Sequence, residues 1–410
     1  MTKTYRKNLR KMFTANVLRL GAIALIIAVG IAVATGIGAV SSQIRSAPEY
    51  GSLTREQVLI IGGIADKVEL LGNVLPPFFI FISALTALAT VTRLVEEERP
   101  AFACYKTLGY SNFSIIFRYT AFASVCAVIG CIIGLAVGNF LLRPAIFNVV
   151  KIKFDIPDTS GIFLTQGLIW SAAMSAAILL TAFFVSFRQC KEKPAELLRA
   201  KSPKAGKKIF LEYMPFLWKK MKFKSKSSLR NIFRFKGRLI MTALSAAGAT
   251  VMLFVGLGLL ASISGSENEK IQDLSGLTDS MNVIAVIVTV CGIALSALVL
   301  FNLTNINIEE RKREIATLKV LGYKPIETAG FIYRELAILS IIGIALGLPS
   351  GYYFVGFLFD YLEFGSLDLI EWYVWIVVTV IAVLSVILAD ILLYGKINKI
   401  EMHKSLKTIE

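Results

Sequence analysis

EEERPAFACYKTLGY occupies residues 96–110, and EERKREIATLKVLGY occupies residues 309–323. Both segments follow a long apolar stretch and precede another. Farther on, IIGLAVG at 132–138 returns as IIGIALG at 341–347. The first pair is separated by 213 positions and the second by 209, so the second copy is shorter by about one helical turn. The chain is a duplicated unit, and each copy carries a short, charged, helix-prone segment at the same place. Such a duplication points to a machine with two equivalent contacts.

The copies are built from membrane spans. The chain has 410 residues, 56% of them hydrophobic, with a mean hydropathy of +0.68. A helix rising about 1.5 Å per residue needs about 20 apolar residues to cross the hydrocarbon. Eight stretches qualify: 18–41, 73–95, 115–142, 163–187, 239–263, 281–304, 329–359 and 370–394. In lipid over such lengths only a helix satisfies its own backbone, so the expected fold is an all-α integral membrane protein. A basic leader (Lys3, Arg6, Lys7, Arg10, Lys11) precedes the first stretch. That stretch is longer than a signal-peptide core and lacks a clear cleavage site, so it reads as a span.

The net charge is +16, and it sits between spans. Segment 188–238 holds 17 Lys and Arg, whereas 360–369 holds Asp360, Glu363 and Asp368 and no basic residue. The positive-inside rule then places both termini and the 188–238 segment in the cytoplasm of a multi-pass cell-membrane protein. Attraction to lipid headgroups accounts for the positive charge without nucleic acid as a partner. The five cysteines (Cys104, Cys126, Cys131, Cys190, Cys291) are odd in number and scattered, which predicts neither a disulfide nor a metal site. The single histidine, His403, reads as a solvated tail residue.

Four spans fall in each half, so both halves insert with the same orientation, as a parallel repeat about an axis along the membrane normal. The boundaries read as 1–200 for the first repeat, 201–228 for a basic linker and 229–410 for the second repeat. The stretches at 5–13 and 229–241 fit an interfacial helix on the inner leaflet and, equally, mere positive flanks of a span. Segments 191–204 and 396–410 read as short amphipathic helices, with Pro194 suited to the first turn of one. The segment REQVLIIGGIADKVELLG can continue as helix into the second span, whose start Pro76 and Pro77 are expected to fix.

No chemistry of catalysis is visible. There is no phosphate-binding GxxxxGK[ST], no HExxH and no CxxC pair, so the chain is expected to be no enzyme and to hold no cofactor of its own. The repeated loop is the strongest functional signal. In the second copy Ile315, Leu318 and Leu321 form a narrow apolar stripe and Gly322 ends the helix. In the first, Phe102, Tyr105 and Leu108 match and Gly109 ends it. A short amphipathic helix held between two spans can lie in a groove of a soluble partner. The plain alternative is a connecting loop packed on its own bundle.

ERxxEIAxLKxLGY between two spans, in four-span units, resembles the FtsX-like permease domain of type VII ABC transporters (the MacB-, BceB- and Lol-like group). Segment 194–241 likewise resembles the inter-repeat linker of the large two-repeat permeases of Gram-positive bacteria. The resemblance implies eight spans in two parallel FtsX-like repeats and a mechanotransmission role. The repeated loop would be a coupling helix receiving the movement of a separate cytoplasmic ABC ATPase, which binds the ATP and Mg. On this reading two ATPases bind per chain, and the work, export or signalling, is done at the outer face. The role falls on Glu97, Phe102, Tyr105, Lys106, Leu108, Gly109 and Tyr110. In the second copy it falls on Glu310, Glu314, Ile315, Leu318, Lys319, Gly322 and Tyr323. The first copy departs from the pattern, with Pro100 and Ala101 where the second has Arg313 and Glu314. The place of the large extracellular domain usual in such permeases holds only residues 42–72, leaving membrane lipids and an extracytoplasmic partner as the further contacts.

A second class of reading is an ATP-independent sensor, scaffold or secondary carrier. A carrier calls for ionisable groups at mid-membrane, and few are present. The polar residues Asp390, Asn302 and Asn305 lie near the inner ends of their spans. Glycines at helical spacing, as at Gly134/Gly138 and Gly343/Gly347, read as close helix packing rather than as a site.

Overall fold

The structure, a computed structural model, describes residues 12–14, 16–46, 55–154, 161–198, 226, 230, 233, 236–266, 275–363 and 365–398. The first repeat comprises α1 (Val17–Ser46), α2 (Arg55–Glu97), the short α3 (Arg99–Thr107) and α4 (Asn112–Val137). A π-turn (Gly138–Leu142) leads from α4 into α5 (Arg143–Phe154), followed by α6 (Thr165–Cys190) and the short α7 (Pro194–Leu198). The second comprises α8 (Lys236–Ser266), α9 (Ser275–Glu310), the short α10 (Lys312–Val320), α11 (Pro325–Leu362), a 3-10 turn (Leu367–Leu369) and α12 (Trp372–Asn398). Among the described residues eight runs are long and apolar enough to cross a membrane, four in each repeat. No strand occurs among the described residues. The expected all-α membrane fold is therefore the observed one.

Burial ranks the spans. The apolar windows of α1 and α8 are both 89% buried, whereas those of α6 and α12 are 22% and 33% buried. The first span of each repeat is thus central, and the fourth faces outward. Across the repeats α1 packs on α9 and α8 packs on α2, a reciprocal pair of contacts such as a two-fold relation generates. The Asn302 side chain donates to Thr90 Oγ1 at 3.0 Å between α9 and α2. These two residues are 212 positions apart, almost one repeat period, and so stand nearly on the pseudo-two-fold axis.

Glycine makes the first and third spans touch within each repeat. A Cβ on Gly134 would fall 2.8 Å from the Ala28 carbonyl, and one on Gly138 would fall 2.7 Å from that of Ala32. The second repeat reproduces the contact, with Gly343 at 3.1 Å from the Ala243 carbonyl and Gly347 at 2.8 Å from that of Ala247. In lipid, where no water is released between apolar helices, such close approach is a main source of association.

Two expectations need correction. Pro76 and Pro77 do not start the second span. They lie inside α2, which runs unbroken from Arg55. Proline deprives the carbonyls of Gly72 and Asn73 of their helical donors, and helices inside a membrane bundle tolerate this better than soluble ones. At about 1.5 Å per residue the 43 residues of α2 reach roughly 64 Å, about twice the hydrocarbon thickness. The third span is also longer than 115–142, running from Asn112 to Lys151. The linker at 201–228, the basic stretch at 5–13 and the tail at 399–410 fall largely or wholly outside the described residues, whereas the basic stretch at 229–241 is described at 230, 233 and 236–241, the last six residues opening α8.

The glycine contacts set a first prediction. Gly134→Val places new atoms against the Ala28 carbonyl and Ile31. It is expected to destabilise the protein by about 1–3 kcal/mol, while Gly21→Ala, with open space around it, costs nothing comparable. Thermal unfolding in detergent distinguishes them, and equal effects would refute the packing assignment.

Candidate functional site

The repeated loops form two short helices at the end of the bundle that carries Arg19, Arg93 and Lys396, here called the basic end. In the first repeat α2 stops at Glu97, and one residue, Glu98 (φ −93°, ψ 14°), breaks the helix before α3. In the second α9 stops at Glu310, and Arg311 (φ −100°, ψ 11°) makes the same break before α10. Pro100 falls in the first turn of α3, where its missing N–H is harmless. Since the second repeat breaks identically without proline, the repeat architecture and not Pro100 sets the break.

Both helices end alike. Gly109 has φ +80° and Gly322 has φ +89°. The Tyr110 N–H reaches back to the Tyr105 carbonyl at 3.0 Å, and the Tyr323 N–H to the Leu318 carbonyl at 3.1 Å. This six-to-one bond with a left-handed residue inside it is a Schellman ending, and it explains the Gly-Tyr pair in both copies. The following span is capped at once. Ser111 Oγ accepts from the Ser114 N–H at 3.3 Å, and the Glu327 carboxylate accepts from the Lys324 N–H at 3.0 Å.

Three ties fix each short helix. The first is apolar. Phe102 and Ile315 are fully buried. Phe102 stacks on Tyr119 of α4 with centroids 4.7 Å apart, and Ile315 packs among Ile308, Ala329, Leu336, Leu393 and Ile397. The second tie is a lysine at the last turn. Lys106 Nζ donates to the carbonyls of Cys190 and of Glu192, the latter at 2.8 Å. Lys319 Nζ donates to those of Ile397 at 2.8 Å and Asn398 at 3.0 Å. Each lysine thus caps the carbonyl end of the fourth span of its own repeat. Partial burial lowers the pKa of Lys319.

The third tie is an ion pair from the break to the third span. The Glu98 carboxylate accepts from Arg118 at 3.1 Å and from the Tyr119 hydroxyl at 2.9 Å. Arg118 also donates to the Tyr105 hydroxyl. In the second repeat the signs are exchanged, and Arg311 donates to Glu335 of α11.

Between the repeats lies a cluster of charges. Arg19 grips Glu97 with both guanidinium nitrogens, at 2.7 and 2.9 Å. Arg93 stands 3.1 Å from Glu97 and 3.8 Å from Glu310, the equivalent residue of the other copy. Glu309 pairs with Lys396 at 2.6 Å.

The residues singled out in the sequence therefore divide. Phe102 and Ile315 face the bundle, Lys106 and Lys319 cap helices, Gly109 and Gly322 shape turns, and Glu97 and Glu310 meet Arg93. Tyr105, Tyr110 and Leu318 are half-buried, and Glu314 and Tyr323 are exposed. Leu108 and Leu321 project outward, 72% and 69% exposed. The expected stripe of Ile315, Leu318 and Leu321 runs from full burial to full exposure. Sequence reading missed Phe113 and Ile326, 73% and 71% exposed and also 213 positions apart. Each completes an apolar tip with its leucine across the glycine turn. It also missed Glu98, Arg118, Arg311 and Glu335, although opposite charges at equivalent positions 98 and 311 were a readable signal.

The sequence model of the family described as FtsX-like permease C-terminal matches residues 73–189 and 286–402. The two matches are 213 positions apart and together cover more than half of the chain. No curated protein and no solved structure matches the chain significantly. The chain belongs to the FtsX-like permease family, whose members are membrane components of transporters.

The turns provide a second prediction. Gly109→Ala or Gly322→Ala forces a side chain into a left-handed conformation and is expected to cost about 1 kcal/mol, with faster amide exchange at the helix end. Gly330→Ala, in a helix with open space around it, is expected to stabilise by about 0.5–1 kcal/mol. The same sign for both substitutions would contradict the turn assignment.

Proposed function

We propose that this FtsX-like permease couples ATP hydrolysis by separate cytoplasmic ABC ATPases to work at the outer face of the cell membrane. The observation that carries the reading is the pair of exposed apolar tips, Leu108 with Phe113 and Leu321 with Ile326, on two short helices tied in the same ways. An apolar tip beside a fixed helix suits a groove on a soluble protein. Its repetition suits two copies of one ATPase per chain, each holding its own ATP and Mg. The chain's excess of Lys and Arg flanks this end of the spans, which supports a cytoplasmic location for it and for both termini.

The ties indicate how movement would pass. A push on α3 reaches α4 through Phe102–Tyr119 and Glu98–Arg118, and reaches α6 through Lys106. The second repeat offers the same route from α10 to α11 and α12. The link back to α2 or α9 is a single non-helical residue, so the third and fourth spans would take up most of the displacement. At the far end Lys67 of α2 bonds to the Leu362 carbonyl of α11, which joins the repeats where outer work would be delivered.

The contact residues separate from the structural ones by mutation. Leu108→Ser with Leu321→Ser is expected to lower ATPase retention by about tenfold or more with the permease still folded. Phe102→Ala is expected to destabilise the permease itself by about 3–5 kcal/mol. The measurement is co-purification from the native membrane in mild detergent, with copy numbers. A wild-type chain that brings down no ATPase would reject the coupling reading, and full retention by the double serine variant would reject the tips.

A further inference from the structure

The two breaks occupy equivalent positions, yet they bear opposite charges. Glu98 carries a carboxylate where Arg311 carries a guanidinium, and each finds its opposite on the third span of its own repeat. The buried members are well removed from water: the Arg118 side chain is 5% exposed and that of Glu335 is 2% exposed. Removing one partner of such a pair leaves a charge without compensation, a far larger penalty than the pair's net gain.

The third-span partners are not at identical positions. Arg118 lies seven residues beyond the cap Ser111, and Glu335 lies eleven residues beyond the cap Lys324. The difference of four is about one helical turn, so both lie on the same face of the span. In each copy the arginine supplies the reach, from the span in the first repeat and from the break in the second. An interaction kept while its polarity is reversed answers to a constraint on attachment and not on the charge of either site.

We propose that Glu98–Arg118 and Arg311–Glu335 are interchangeable latches that fix each coupling helix to the third span of its own repeat, so that helix and span move as one body. They are positioning residues, acting through α3 and α10. The mechanical statement stands on the geometry alone, and its meaning for ATP coupling rests on the function proposed above.

Polarity exchange tests it. Glu98→Arg or Arg118→Glu alone puts like charges together. The double variant E98R/R118E gives the first repeat the polarity of the second. The flanking Tyr105 and Tyr119 hydroxyls donate or accept as required, so neither obstructs the exchange. Hydrogen–deuterium exchange on the full chain in detergent is the primary readout. Each single variant is expected to speed amide exchange in α3 by about tenfold or more, with α10 unchanged as an internal reference. The double variant is expected to return α3 to within about threefold of wild type. R311E/E335R and its single variants should do the same for α10.

A second readout, ATP turnover per assembled complex, is expected to fall in the single variants and recover in the double. Unchanged α3 exchange in both single variants, or a double variant as mobile as the singles, would overturn the latch. So would a loss of folded yield alone, with exchange and turnover per complex at wild-type values. If the wild-type chain brings down no ATPase, the coupling reading fails and the exchange data still decide the latch.

Discussion

The bundle depends on backbone-to-backbone approach between the first and third spans, because lipid supplies little hydrophobic drive for helices to meet. Gly134 and Gly138 against Ala28 and Ala32, and Gly343 and Gly347 against Ala243 and Ala247, let the third span rest on carbonyls of the first. Any side chain there would hold the helices apart. The two contacts are geometrically alike although the flanking sequences differ. The four-residue shortening of the second copy falls between the cap of the third span and these glycines. Four residues make nearly one turn, so the shorter span still presents the same face.

With the apolar contacts fixed, the charges sort by end. Inside the bundle, several buried hydroxyls bond to the carbonyl one turn back, as Thr86 does to Ile82 and Thr250 to Ala246. The ionised groups concentrate where the long helices reach past the hydrocarbon. Arg45 with Asp66 and Glu69 marks one end, and Arg19, Arg93, Glu97, Glu309, Glu310 and Lys396 mark the other. Ion pairs between exposed groups contribute little. Those of Arg19, Arg118 and Glu335 differ because burial makes an unmatched partner expensive.

Much of this was legible in the chain. Repeated LGY segments and repeated glycines located the duplication, and hydropathy placed all eight spans. That α2 runs unbroken through Pro76 and that the third span continues to Lys151 were not legible, since hydropathy registers where apolar residues cease and not where a helix does. The loop was found, but its orientation was not. A nine-residue helix has two and a half turns, so an apolar face such as that of Phe102 or Ile315 serves a partner or the bundle equally well in sequence terms. Only the position of α4 and α11 decides that these two residues turn inward. Phe113 and Ile326 escaped notice because they lie between the glycine turn and the apolar stretches at 115–142 and 329–359, outside both patterns.

The two copies together say more than either alone. Where the repeats agree in residue and position, as at Lys106 and Lys319 or Gly109 and Gly322, agreement could be inheritance from a common ancestor. Where they agree in geometry but differ in residue, inheritance no longer explains the agreement. Ser111 caps with its hydroxyl, whereas at Lys324 the cap is made by Glu327 reaching back. The break is tied by a carboxylate in one copy and by a guanidinium in the other. Retained through such changes are a capped start to the third span and a salt bridge from it to the short helix. The tie to the second span is by contrast one residue in a non-helical conformation. The side-chain ties of each short helix thus run to the third and fourth spans of its own repeat, while α1 and α8 are packed at the centre.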